Sequence, residues 1–218
     1  KGIIARVQLE EFSKGIILPH EFTLSKAKED RLNLMKATNC NFSQIYALYM
    51  DEKHTTLATI DEQSKAKADL EFTDETGVTH RLWIETDEEI IAKLVADFAD
   101  RKLYIADGHH RYETALNYRN YCRENGISKP GDPQDFQMIY LVDMEHPGLV
   151  VFPTHRLVRD LPNFDKEAVL EKCSEFFYID EKEGTDTMEE DLKKLYDEGK
   201  KAFGFYCGKG EWFLLTLK

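Results

Sequence analysis

The local pattern of the chain changes abruptly within Leu103-Tyr104-Ile105-Ala106-Asp107-Gly108-His109-His110-Arg111-Tyr112-Glu113-Thr114-Ala115-Leu116. An apolar run of strand-forming residues ends at Asp107 and Gly108, and apolar side chains then recur at helical spacing from Tyr112 onwards. The polar residues 107–111 are therefore predicted to lie at a turn between a strand and a helix.

Such a turn suits an anion. The first backbone N–H groups of a helix have no partners within the helix, and the helix dipole adds positive potential there, so phosphate binds well. Gly108 lets a ligand approach closely, and Arg111 can donate two parallel hydrogen bonds to phosphate oxygens. His109 and His110 can donate hydrogen bonds or transfer protons near neutral pH, while Asp107 can hold a metal ion or accept a proton.

An ordinary capped helix is the competing interpretation. Asp-Gly before a polar helix start is typical of an N-cap, and Asp107 taken alone could serve only that purpose. Capping needs one polar residue, whereas four stand close together here. We therefore expect the cluster as a whole to be functional.

The string Tyr-Ile-Ala-Asp-Gly-His-His-Arg-Tyr-Glu-Thr-Ala resembles the signature of the domain-of-unknown-function 1015 family. The resemblance extends through residues 15–39, around Ile-Leu-Pro-His-Glu-Phe-Thr-Leu and Lys-Glu-Asp-Arg, and on to Val-Phe-Pro-Thr-His-Arg at 151–156. It covers most of the chain. At a greater distance, Asp-Gly-His-His-Arg resembles the phosphate-binding turn of the ParB and sulfiredoxin superfamily, which includes nucleotide-dependent kinases of free serine.

This resemblance implies roles for particular residues. In the serine kinases an acidic residue in the loop before the first helix is the base for the substrate hydroxyl, and Pro19-His20-Glu21 stands in the matching place. Glu21 is thus a candidate catalytic base, although the local sequence alone also fits a solvated loop acid. Asp107 is the candidate ligand of Mg²⁺. The residues expected around ATP or ADP are His20, Gly108, His109, His110, Arg111, His155 and Arg156.

Composition narrows the class of protein. The chain has 218 residues and a formal charge of −12, which disfavours nucleic acid as a partner because polyanions are repelled. No apolar run approaches the length of a membrane span, and the scattered cysteines form no Cys-x-x-Cys pair, so we predict a soluble cytoplasmic protein without a membrane partner. The chain begins at Lys1 without Met, and we expect a further N-terminal segment in the native protein.

Hydrophobic patterning predicts strands at residues 2–9, 16–18 and 45–50 and a helix at 25–38. The basic residues Lys26, Lys28 and Arg31 of this helix are expected to form a solvated face.

Residues 51–100 separate these elements from the phosphate turn and are interpreted as an insertion. It contains a helix at 56–65, a hairpin of strands 68–73 and 78–85, and a helix at 87–98.

After the central helix, a strand at 136–142 and a returning strand at 149–152 are predicted to form a hairpin. This hairpin would deliver His155 and Arg156 to its far end. Beyond residue 161 the pattern predicts helices at 165–173 and 187–196 and strands at 176–179, 201–206 and 211–217.

The order of these elements predicts an α+β fold with a mixed sheet, because hairpins join the strands as often as helices do. Residues 1–160 would form a ParB/sulfiredoxin-like nucleotide-binding domain that carries the insertion at 51–100. Residues 161–218 would form a small α+β region packed on the first domain.

Three functions remain open at this point. The first is a kinase that binds ATP or ADP with Mg²⁺ and transfers phosphate to a small hydroxyl compound, serine being the precedent by resemblance. The second is a non-catalytic nucleotide-binding switch of the ParB type. The third is a metal-dependent hydrolase that uses His20, His109, His110 and His155 with Asp107, although no histidine pair has the spacing of a familiar zinc helix. The sequence does not indicate an oligomeric state.

Overall fold

The computed structural model describes residues 1–23, 25–152, 154–208 and 210–218, and the side chains of residues 25–27 lie outside the described part. Two compact units divide the chain, residues 1–152 and residues 153–218. The predicted boundary after residue 160 falls within the second unit. None of the helices in these described ranges is long and apolar enough to cross a membrane.

The first unit is built on a mixed sheet of five strands. The strands are β1 (Ile3–Gln8), β2 (Ile17–Leu18), β3 (Ile45–Tyr49), β6 (Leu103–Asp107) and β7 (Phe136–Asp143), and their order across the sheet is β1-β7-β3-β6-β2. The pairs β1/β7 and β3/β6 are antiparallel, whereas β3/β7 and β2/β6 are parallel. The predicted α+β class with a mixed sheet is confirmed.

Two helices cover the core side of this sheet. They are α1 (Ser25–Thr38) and α4 (His109–Glu124), and they pack against each other. Alternate residues of β3 and β6 are buried, as the period of a strand requires, and they meet the apolar stripe of α4. The members of this core include Ile45, Ala47, Tyr49, Leu103, Ile105, Tyr112, Ala115, Leu116, Ile139 and Leu141.

Between β3 and β6 the chain forms the helix–hairpin–helix arrangement predicted for residues 51–100. Its elements are α2 (Thr55–Gln63), the antiparallel pair β4 (Leu70–Thr73) and β5 (Thr79–Leu82), and α3 (Glu88–Phe98). The carboxylate of Asp87 caps α3 by accepting hydrogen bonds from two backbone N–H groups of its first turn.

The predicted hairpin between β7 and residues 149–152 is wrong. A turn does follow β7, where the N–H of Leu149 donates to the carbonyl of His146, but residues 149–152 form no strand. The reason is that β7 is hydrogen-bonded to β1 on one side and to β3 on the other. A returning strand therefore has no free edge of β7 to pair with.

The second unit contains α5 (Lys166–Cys173), α6 (Met188–Asp197) and a three-stranded antiparallel sheet. Its strands are β8 (Phe177–Glu183), β9 (Ala202–Gly208) and β10 (Glu211–Leu217), with β10 in the middle. The predicted small α+β region is thus present.

Candidate functional site

Strand direction brings distant parts of the chain to one edge of the five-stranded sheet. Because β2 and β6 are parallel, the segment that follows β2 arrives beside the end of β6. Because β3 is antiparallel to β6, the start of β3 lies at the same edge, with Tyr46 opposite Asp107. Glu21, Ser43 and Asp107 consequently border one cleft.

The cleft has a volume of about 290 Å³ and a polar lining. Its walls are formed by Glu21, Arg31, Ser43, Asp107, Gly108, His109, His110 and Arg111.

The turn from β6 to α4 has the predicted form. Strand β6 ends at Asp107, Gly108 stands at the cap position, and α4 begins at His109. Gly108 has a φ of 98°, a left-handed conformation that a residue with a side chain rarely adopts. A glycine offers no side-chain cap, so the start of α4 faces the cleft without a capping carboxylate from its own cap residue.

Asp107 caps no backbone N–H of α4 within the described part of the chain. Its Oδ2 accepts a hydrogen bond from Nη2 of Arg111 at 2.5 Å, and 74% of its side chain is exposed. The capping interpretation of Asp107 is therefore wrong. The carboxylate instead lies at the mouth of the cleft, where it pairs with Arg111 and still faces solvent.

Arg111 is fixed by contacts on three sides. Besides the pair with Asp107, its Nη1 donates to the hydroxyl of Ser43 at 2.9 Å and to the carbonyl of Gln44. These contacts use three of the five N–H groups of a guanidinium among the described residues. A Cβ at Gly108 would lie 2.9 Å from this guanidinium, so a side chain here would have to displace Arg111 from these contacts.

His109 is the buried member of the cleft, with 1% of its surface exposed. Its Nε2 accepts a hydrogen bond from the backbone N–H of His20 at 3.2 Å, and its Nδ1 lies 3.1 Å from Oε1 of Glu21. The second contact is close but not aligned as a hydrogen bond, so Nδ1 is a buried polar atom without a hydrogen-bond partner in the described structure. Burial lowers the pKa of His109 despite the opposing effect of Glu21.

The loop that carries Glu21 is attached to the helix start by its neighbour His20. Nδ1 of His20 lies 2.7 Å from the carbonyl of Ile105, which can only accept, so Nδ1 is the donor. The rings of His20 and His109 also make an edge contact, with centroids 4.5 Å apart. His20 therefore holds the loop against the helix start but does not line the cleft, whereas Glu21, half exposed, does line it.

A carboxylate missed by the sequence analysis completes this attachment. Glu113 accepts hydrogen bonds from Thr23 at 2.7 Å and from Lys28 at 2.5 Å. Burial opposes ionisation of Glu113, but these two donors outweigh it and lower the pKa. Helical spacing was the available signal, because Glu113 is one turn beyond His109 on α4.

Three other residues make contacts that the sequence analysis did not predict. Arg31 is exposed, as expected, but it also lines the cleft, whereas Lys28 of the same helix is half-buried and pairs with Glu113. No local pattern marked Ser43 as a site residue, because its contact with Arg111 depends on the pairing of β3 with β6. The expectation for Lys26 concerns a side chain outside the described residues.

His110 lines the cleft as predicted, and the remaining candidates belong to the second unit. His155 and Arg156 are exposed, and Arg156 contacts the carbonyl of Thr154 at 3.4 Å. Their role in nucleotide binding stays a prediction.

No curated protein and no solved structure matches the chain. Residues 1–218 match the model of the family described as protein of unknown function (DUF1015). The chain therefore belongs to the DUF1015 family.

Proposed function

We propose that the protein is a nucleotide-dependent phosphotransferase that acts on a small hydroxyl compound. The observation that carries this proposal is the shared cleft of Glu21 and Asp107 at the start of α4. A carboxylate for the acceptor hydroxyl and an open helix start for phosphate then face the same volume.

The cations of the cleft suit the phosphates of a nucleotide. Arg31, Arg111 and the start of α4 supply positive charge or N–H donors on its walls. Because Arg111 is held by Ser43, Gln44 and Asp107, its two remaining N–H groups need no reorganisation before they bind. Such preorganised donors stabilise charge that develops during phosphoryl transfer.

Glu21 is the proposed base. Its carboxylate would accept the proton of the acceptor hydroxyl while the acceptor oxygen bonds to the terminal phosphorus. The bond from that phosphorus to the bridging oxygen of the nucleotide breaks in the same transfer. The exposure of Glu21 leaves room for an acceptor beside it.

The donor set also fits Mg²⁺, which prefers carboxylate oxygens. Asp107 would hold the ion, since its side chain is largely exposed and only Oδ2 is engaged with Arg111 in the described structure. When bound, Mg²⁺ would neutralise charge on the phosphates.

The direct test is transfer of phosphate from ATP with Mg²⁺ to a panel of hydroxyl compounds that includes serine. Glu21→Gln should lower kcat by about 10²- to 10⁴-fold and leave nucleotide affinity nearly unchanged. Asp107→Asn should impair both. Glu29→Gln, an exposed carboxylate on α1, is the matched control and should change neither.

The nucleotide-binding switch predicts a different result. A protein that binds ATP but phosphorylates none of the panel, with Glu21→Gln indistinguishable from the wild type, would replace the kinase proposal with the switch.

A further inference from the structure

The imidazole of His109 links the start of α4 to the loop after β2, which carries Glu21. One nitrogen contacts the backbone of His20 and the other contacts the carboxylate of Glu21, so residues of the loop after β2 engage both sides of the ring. The ring itself belongs to the first residue of α4 and is almost completely buried.

The backbone contact determines which nitrogen carries the proton. A backbone N–H can only donate, so Nε2 of His109 must be an unprotonated acceptor. The neutral ring then has its proton on Nδ1, which lies 3.1 Å from Oε1 of Glu21. A doubly protonated ring would place two N–H groups against each other at Nε2, so the contact with His20 also requires the neutral ring.

This tautomer does not suit a metal ion. His20, Glu21 and His109 each offer one atom within 4.8 Å of the others, the spacing of a possible metal site. A cation on Nδ1 of His109 would force the proton onto Nε2 and into conflict with the N–H of His20. The lone pair on Nε2 is already occupied by that N–H.

We propose that His109 is a positioning residue whose Nδ1–H holds the carboxylate of Glu21 in its working orientation, a role that rests on the proposed function. The close but unaligned contact becomes an aligned hydrogen bond when a ligand fills the cleft. The ring stays neutral throughout, so it neither competes with Glu21 as a base nor binds the metal.

The tautomer can be measured without any activity. Nitrogen-15 NMR of the histidine side chains should show His109 as the neutral Nδ1–H form at neutral pH. Its Nδ1–H proton resonance should shift in Glu21→Gln and stay in place in the control Glu29→Gln. An Nε2–H tautomer, a charged ring, or a resonance that ignores Glu21→Gln would overturn the proposal.

Two substitutions then separate positioning from mere packing. The amide nitrogen of Asn is attached to Cγ, as Nδ1 of histidine is, whereas that of Gln reaches towards the Nε2 position. His109→Gln should lower kcat by about 10²-fold with little change in KM, as a misplaced group does, and His109→Asn should recover most of that loss. Equal losses in the two variants would contradict a role for Nδ1–H.

The kinase function and the positioning role of His109 can be refuted separately. Absence of phosphate transfer by the wild type would remove the kinase function, while the NMR result would still decide whether Nδ1–H of His109 engages Glu21.

Discussion

Helices α2 and α4 start at opposite ends of the strands of the same sheet. The two helix starts differ in whether a buried carboxylate caps them. The carboxylate of Asp51 accepts hydrogen bonds from three backbone N–H groups at the start of α2. Asp51 is 2% exposed and also receives Nη2 of Arg101 at 2.6 Å. At α4 the cap residue is a glycine, and the nearest carboxylate, Asp107, binds Arg111 instead.

The comparison sets a structural charge cluster beside the proposed binding site. Asp51 supplies to α2 the anion that a helix start attracts, and Arg101 neutralises it inside the protein. At α4 the cap residue supplies no carboxylate, and in the proposed function the phosphate of a nucleotide is the corresponding anion. A helix start with its own buried carboxylate stabilises the fold, whereas one that opens on a cleft can receive a ligand.

The largest loss of stability is expected from removing Asp51, the buried carboxylate at the start of α2. Asp51→Ala removes the cap of α2 and leaves Arg101 unpaired, so the free energy of unfolding should fall by about 3–5 kcal/mol. Chemical denaturation measures this loss. Glu71→Ala, which breaks the exposed pair with Arg81, should cost less than about 1 kcal/mol. A small loss in Asp51→Ala would show that the closed cluster is not structural.

A second change tests why α4 begins with glycine. Gly108→Ala forces a side chain into a left-handed conformation and against the guanidinium of Arg111, so both stability and nucleotide affinity should fall. Gly131→Ala is the control, because Gly131 has a similar φ of 93° and open space around it. Each should lose about 1–2 kcal/mol of stability from the backbone alone. If Gly108→Ala binds the nucleotide as tightly as the wild type does, Arg111 does not belong to the binding site.

A smaller effect is expected from Arg111→Lys. Lysine keeps the charge but loses the planar fork, so nucleotide affinity should fall by about tenfold. Stability should fall by about 1 kcal/mol, since the contacts with Ser43 and Gln44 are lost. Titration calorimetry with ATP measures the affinity. An unchanged affinity would return Arg111 to a purely structural role like that of Arg101.

The sequence predicted the parts of this comparison that depend on local pattern. The end of β6 and the start of α4 follow from the change of hydrophobic period at Asp107. The helix–hairpin–helix segment was also predicted from the sequence, because each of its elements has its own hydrophobic periodicity.

What the sequence could not predict depends on pairing between distant segments. β7 was assigned to a hairpin because nothing local reveals that β1 and β3 occupy both its edges. The pairing of Lys28 with Glu113 and the place of the exposed Arg31 at the cleft were not predicted, because they depend on the packing of α1 on α4. The contact of His109 with Glu21 likewise needed the parallel pairing of β2 and β6.

The smallest expected effect concerns the attachment of the Glu21 loop to α4. The pKa of Glu113 is lowered in the folded protein, so its ionised form stabilises the fold above about pH 4.5, and this contribution is lost as pH falls through the lowered pKa. Glu113→Gln should therefore weaken the fall in stability with acid. Urea denaturation of both proteins between about pH 3.5 and pH 6 measures it. Parallel curves for the two proteins would show that the attachment does not depend on this charge.

The difference between the two helix starts can be observed directly by NMR during a titration with ATP and Mg²⁺. We predict that the backbone amide resonances of His109 and Arg111 shift with the nucleotide and that those of Thr56 and Leu57, already bonded to Asp51, do not. Amides at the start of α4 that remain in place at saturating ATP, or larger shifts at the start of α2, would contradict the assignment of the cleft as a nucleotide site.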